Sequence, residues 1–243
     1  MPVALYTPEE RDQVAARVLA QLRADERAER VELSGSGVHG YADRWSDVDI
    51  LVVAGKGVDH RNLADSWTAR MYELFPVVHD FRVSFGEEHV RGVLLENFLE
   101  VDLGFQPWRA AGEEGSTERD LSPDAEAGFA WHDVLHAAVA IRRGRPWRAH
   151  YYIGLLRWRT LALAGADMSE YKGADDVRAQ LLEALADTLP RSLDAAELLR
   201  ATRAVVPLFF AELRAYDAGT ETHYAELADR LEPRLLSFLD ETA

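Results

Sequence analysis

At 243 residues, with 48% hydrophobic and 28% charged side chains, the chain has an ordinary globular composition and length for one large domain or two modest ones. Its 27 Lys and Arg stand against 42 Asp and Glu, and a net charge of −15 disfavours any partner held by its phosphate backbone, so no nucleic acid is expected. The absence of cysteine excludes disulfides, thiolate metal sites and a cysteine nucleophile.

The opening MPVALYTPEERDQ turns polar too soon for a signal peptide, and no apolar run reaches membrane-spanning length. A cytoplasmic location without a membrane partner is therefore expected. Thr7-Pro8-Glu9-Glu10 reads as a helix start, with Thr7 as cap, Pro8 in the first turn and Glu10 closing a capping box. Val14, Val18 and Leu22 continue it at helical spacing to about Ala24. Arg30 to Leu33 alternates like a short strand and runs into Ser34-Gly35-Ser36-Gly37. Asp47 to Val53 reads as a buried strand, and Asn62 to Phe75 as a helix with Leu63, Trp67, Met71 and Leu74 on one face. Val77 to Phe85, Gly92 to Leu95 and Phe98 to Leu103 are further strands.

The texture then changes. Ala110 to Gly128 is small, polar and acidic without periodicity, and reads as a linker. Beyond it helical spacing covers Phe129 to Arg142, Trp147 to Ala164, Val177 to Thr188, Asp194 to Tyr216 and Tyr224 to Leu239, with Pro207 expected to kink or split the fourth. The expected organisation is an α/β (α+β) catalytic domain over residues 1–112 with a mixed sheet, a linker over 113–128, and an all-α helical bundle over 129–243.

The chemistry concentrates between Gly35 and Asp49. Glycine lets the backbone approach a ligand closely, and a serine hydroxyl with helix N-terminal amides makes a phosphate cradle. The chain re-enters the sheet at Asp47-Val48-Asp49, where residues i and i+2 project from one face. Two carboxylates held so close are costly unless a cation sits between them, and magnesium, a hard ion that bridges carboxylates to phosphates, suits the task. A third carboxylate is offered by the strand Phe98-Leu99-Glu100-Val101-Asp102-Leu103. Asp102 is favoured over Glu100 because it lies deeper toward the strand's C-terminal end.

The segment GSGVHGYADRWSDVDILVV, Gly35 to Val53, resembles the signature of the polymerase-β-like nucleotidyltransferase superfamily, and Val101-Asp102-Leu103 resembles its third carboxylate. WHDVLHAAVAIRRGRPWRAHYYIGLLR, Trp131 to Arg157, followed by Tyr171-Lys172-Gly173-Ala174-Asp175, is similar to the helical domain of lincosamide and aminoglycoside nucleotidyltransferases. The resemblance implies that Gly35 and Ser36 hold the β- and γ-phosphates of a nucleoside triphosphate, ATP first among them. It implies that Asp47 and Asp49 bind the metal carried by the nucleotide and, with Asp102, a second magnesium ion, the two roughly 3.5–4 Å apart. Asp102 is also a base for the acceptor hydroxyl, Ser46 a further phosphate contact, and Lys172 a contact of the triphosphate or leaving pyrophosphate. The acceptor would be the hydroxyl of a small molecule, an aminoglycoside or lincosamide antibiotic in the nearest branches, and a homodimer is implied. Two rivals are a protein-adenylylating enzyme of toxin–antitoxin type and a nucleotide-binding regulator that has lost catalysis. The long helical half argues against the first, and three metal-binding acids argue against the second.

Other features read more plainly. Asp47, Asp49 and Asp102 have solvent-facing strand acids as their bland alternative. His132 and His136 stand at the spacing of a zinc pair, but without a glutamate between them or a further ligand nearby they read as core or surface histidines. Arg142, Arg143, Arg145 and Arg148 read as a solvated helix end rather than a phosphate site. Trp147, Tyr151, Leu155 and Trp158 read as a core stripe, and His39 lies within the motif spacer.

Overall fold

The computed structural model describes residues 5–35, 42–108, 123–166, 177–216 and 224–241. The first helix, α1 (Pro8–Arg23), starts where the capping pattern predicts: Glu10 N donates to Thr7 Oγ1 at 3.2 Å, and Thr7 N to Glu10 Oε2 at 2.9 Å. After β1 (Ala28–Leu33) and β2 (Val48–Ala54) comes α2 (His60–Leu74). Asp59 caps α2 by accepting from Arg61 N and Asn62 N, so the helix begins two residues before the expected Asn62. Three strands follow: β3 (Val77–Phe85), β4 (Glu88–Leu95) and β5 (Glu100–Gln106).

The five strands form one mixed sheet in the order β1-β2-β5-β4-β3, in which β2 and β5 are parallel and the other neighbours antiparallel. Strand β2 alternates between buried and half-buried residues along its whole length. Val48, Ile50 and Val52, with Val101, Leu103 and Phe105 of β5, pack beneath Val18 and Leu22 of α1 and Leu63, Trp67 and Met71 of α2. Burying each large side chain there contributes about 1.5–3 kcal/mol. Both helices thus cover one face of the sheet, and Asp49 and Asp102, at the intervening positions, belong to the opposite face.

The strand expected from Phe98 begins instead at Glu100. Phe98, buried and at φ 63°, sits in the tight turn between β4 and β5, where its N–H donates to Leu95 O at 3.0 Å.

The chain divides into two compact units, Ala4–Gly128 and Phe129–Ala243, and the division falls inside a helix. That helix, α3 (Pro123–Arg142), starts within the stretch read as linker. The C-terminal unit continues with α4 (Pro146–Leu163), α5 (Ala179–Ala186), α6 (Ala195–Ala215) and α7 (Tyr224–Glu241). Gly144 at φ 61° closes α3, with Arg145 N bonded to Ala140 O at 2.8 Å, and Pro146 opens α4. Small residues, Ala137, Ala140, Ala149 and Ala201, let α3, α4 and α6 approach closely around Ile153 and Leu198. Helix α6 runs through Pro207 without being split. Phe209, Phe210 and Leu213 beyond the proline, like Leu198 and Val205 before it, are buried, so tertiary packing outweighs the lost hydrogen bond.

The aromatic stripe expected in the core is corrected in part. Trp147 is 73% and Tyr151 60% exposed, because α4 buries the neighbouring face of Ala149, Ile153, Leu156 and Thr160. No helix among the described residues is long and apolar enough to cross a membrane.

Candidate active site

Strand β1 delivers the glycine of the motif directly onto the carboxylate of Asp49. Leu33 pairs with Ile50, and Ser34 N donates to Asp49 O at 2.9 Å. Gly35 follows at φ 58°, a left-handed conformation that side chains disfavour. A Cβ at this position would stand 1.9 Å from Asp49 Oδ2. Both requirements select glycine, and the result is bare backbone lying against a carboxylate.

The chain returns to the sheet through a turn at Asp43–Ser46. Ser46 N donates to Asp43 O at 3.1 Å, Asp43 N to Ser46 Oγ at 3.0 Å and Trp45 N to Asp43 Oδ1 at 2.9 Å. Tyr6 Oη donates to Ser46 O at 3.3 Å, and Arg11 Nη1 to Asp43 O at 2.6 Å. Ser46 is 2% exposed, and its hydroxyl is engaged with Asp43. The immediate effect of this network is to fix where Asp47, one residue before β2, enters the site. Tyr6 and Arg11 were not legible as part of the site, because nothing local in the sequence ties them to a turn so far along the chain.

Asp49 and Asp102 are partner residues on the parallel strands β2 and β5. Partner residues of neighbouring strands share a face, and the strands lie about 4.8 Å apart. Asp102 is half-buried with its Oδ1 enclosed, and Glu100, two residues earlier on the same face, is 4% exposed. On the other side of Asp102 stands Gly92 of β4, and the next residue in that row is Phe81 of β3. A Cβ on Gly92 would meet the Phe81 ring at 2.1 Å, and one on Gly128 of α3 would meet it at 2.0 Å. Two glycines thus admit a buried aromatic ring from β3, two strands away from Asp102. The glycine inside the expected strand Gly92 to Leu95 was the available signal for such a close approach.

Carboxylates on partner positions repel each other in a half-buried setting unless a cation or proton intervenes. The carboxylates of Asp49 and Asp102 offer hard oxygens, which suit magnesium. On this ground, with Asp102 Oδ1 enclosed beside Asp49, the residues fit a divalent cation.

Ser36, His39 and Lys172 lie outside the described residues. In the C-terminal unit the His132 and His136 rings lie 4.1 Å apart, and Tyr152 packs 5.1 Å from His136. Of the arginine cluster, Arg148 Nη2 donates to Tyr152 Oη at 3.3 Å and Arg142 Nη2 to Glu241 O at 3.4 Å.

No protein-family model matches the chain, and no curated protein does. Among solved structures, an aminoglycoside 6-adenyltransferase from Bacillus subtilis is similar over 95% of this chain and 99% of its own, at 14% identity and a TM-score of 0.34. The polymerase core of TRAMP, an RNA surveillance complex, aligns over 88% of this chain and 61% of its own, at 14% identity and a TM-score of 0.32. The GLD-2/RNP-8 complex aligns over 86% of this chain and 71% of its own, at 9% identity and a TM-score of 0.29. Likenesses this distant carry no argument for fold or activity, and the residues of the site speak for themselves.

Proposed function

We propose that the chain is a magnesium-dependent nucleotidyltransferase that moves a nucleoside monophosphate, AMP from ATP, to a hydroxyl of a small molecule. One observation carries the reading: Asp49 and Asp102 are partners on adjacent parallel strands, with Gly35 packed bare against the Asp49 carboxylate.

Asp47, Asp49 and Asp102 would hold two Mg²⁺ ions, which when bound neutralise phosphate charge and lower the pKa of the acceptor hydroxyl. Gly35 and Ser36 offer the backbone and hydroxyl that receive the triphosphate, and Lys172 is a cation for its far end. Ser46 serves by holding the turn that aims Asp47, and a phosphate contact from it would exchange its bonds to Asp43. Asp102 accepts the hydroxyl proton as the acceptor oxygen forms its bond to the α-phosphorus. The bond from that phosphorus to the bridging oxygen breaks, and pyrophosphate leaves. A cationic acceptor such as an aminoglycoside or lincosamide accords with the net charge of −15, which also argues against a nucleic-acid acceptor.

The test is pyrophosphate release with magnesium and each of the four triphosphates against a panel of aminoglycosides, lincosamides and proteins. Release that needs one small-molecule acceptor and disappears in Asp47→Asn is expected. Release that survives Asp47→Asn would sink the mechanism, and no release with any acceptor would favour a bare nucleotide-binding module.

A further inference from the structure

Arg157 is a half-buried cation in an acidic protein, and no acid among the described residues answers it. Other arginines of the helical unit are matched by acids: Arg159 to Asp133 at 2.7 Å, Arg200 to Glu197 at 2.7 Å, and Arg178 to Glu212. Arg157 makes one contact, from Nη1 to Thr188 O at 3.4 Å, at the long limit of a hydrogen bond, and forms no ion pair among the described residues. Burial alone depresses its pKa, with no carboxylate raising it. An uncompensated cation held partly out of water is unfavourable for the folded chain, so its presence calls for a reason beyond stability.

The reason lies in what surrounds it. Arg157 borders a cavity of about 270 Å³ between α4 and α5, and it is the one charged residue among those described there. Trp158 supplies an aromatic wall, Leu182 and Leu185 an aliphatic one, and Leu189, 51% exposed, the rim. Gly154 keeps the flank of the guanidinium open: a Cβ there would stand 3.8 Å from Arg157 Nη2 and meet nothing else within 4 Å. Glycine within a helix forfeits stability relative to alanine, so the gap is not free to the fold. The volume is near the lower end of small-molecule pockets, about 300 Å³, and suits a ring or branched chain with one polar group.

We propose that this cavity binds a small organic carboxylate, its apolar body against Trp158, Leu182 and Leu185 and its carboxylate on Arg157. The planar guanidinium fork matches a carboxylate in two parallel hydrogen bonds, and the low-polarity walls strengthen them. The site does not depend on nucleotidyl transfer and is tested without it.

The test is calorimetric titration of the full chain with 2-naphthoate and with its neutral counterpart 2-naphthamide. Naphthoate binds one per chain, about ten-fold or more tighter than the amide, the difference expected of one charge-assisted contact. Arg157→Met brings naphthoate down to the affinity of the amide, and Arg157→Lys restores part of the gap. Gly154→Leu fills the cavity without removing the cation and abolishes binding of both, which keeps the question answerable if Arg157→Met fails to fold. Equal affinity for the two compounds in the parent chain overturns the proposal. So does naphthoate binding unchanged in both variants, the sign of adsorption elsewhere, or no binding of naphthoate at all.

Discussion

The two units of this chain differ in where they leave carboxylates side by side. Among the described residues of the helical unit, each deep acid faces an arginine: Asp133, 1% exposed, meets Arg159, and Glu212, 4% exposed, meets Arg178. In the α/β unit Asp102 instead neighbours Asp49, carboxylate beside carboxylate on adjoining strands. The first arrangement settles charge within the fold. For Asp133 the settlement is narrow, since burial pushes its carboxyl up by more than the Arg159 guanidinium beside it pulls it down. The second arrangement gathers two carboxylates, the kind of hard-oxygen pair that a divalent cation takes. Where a fold matches its own charges, it serves stability.

That contrast can be broken by substitution. Asp49→Asn and Asp102→Asn should each lower pyrophosphate release by about 10³-fold or more, the scale of losing metal-held transition-state stabilisation. Their thermal midpoints should stay close to that of the parent chain. A fall in melting temperature with activity intact would reverse the reading of this face. Asp133→Asn should do the opposite, lowering stability by about 3–5 kcal/mol in urea titrations, because it strands Arg159, whose side chain is 11% exposed.

Gly35→Ala should cost about 1–3 kcal/mol from its positive φ alone. It should also lose nucleotide binding, since the new methyl group displaces the Asp49 carboxylate; tight nucleotide binding in a folded Gly35→Ala protein would contradict the close packing.

The smallest effect concerns Asp25, which the Arg27 side chain holds down to about 2, with a further hydrogen bond from Trp67 Nε1 at 2.9 Å. A carboxylate depressed on folding adds stability above its unfolded value of 3.8 that is lost as pH falls from there through about 2. Asp25→Asn should lower stability at pH 7 by about 1.5 kcal/mol and flatten that acid limb, read by melts followed through tryptophan fluorescence.

Local signals carried much of the fold. Thr7 and Glu10 announce the start of α1, and the β-rich run after Asp47 announces β2, because caps and apolar runs act within a few residues. What local signals cannot carry is partnership. Nothing near Asp49 or Asp102 says that β2 and β5 are parallel neighbours, so the juxtaposition of the two acids emerges only from the sheet register. The Ser46 turn is equally hidden, since its anchors Tyr6 and Arg11 lie far back in the chain. Helix faces are ambiguous in sequence where two stripes compete. Trp147 and Tyr151 recur at helical spacing as well as Ala149 and Ile153 do, and the smaller residues win because they allow α3, α4 and α6 to close. The glycine against Asp49, by contrast, could be read in advance as a place where backbone must approach a ligand, and the collision its Cβ would suffer gives that reading a physical cause.

The central claim, that Asp49 and Asp102 together hold a divalent cation, is tested most directly by titrating the chain with Mn²⁺ and following the free ion by electron paramagnetic resonance. The account predicts saturable binding in the parent chain that is lost in both Asp49→Asn and Asp102→Asn, and retained in Asp133→Asn at temperatures where that variant is folded. Binding of equal strength in the parent chain and both site variants would contradict it.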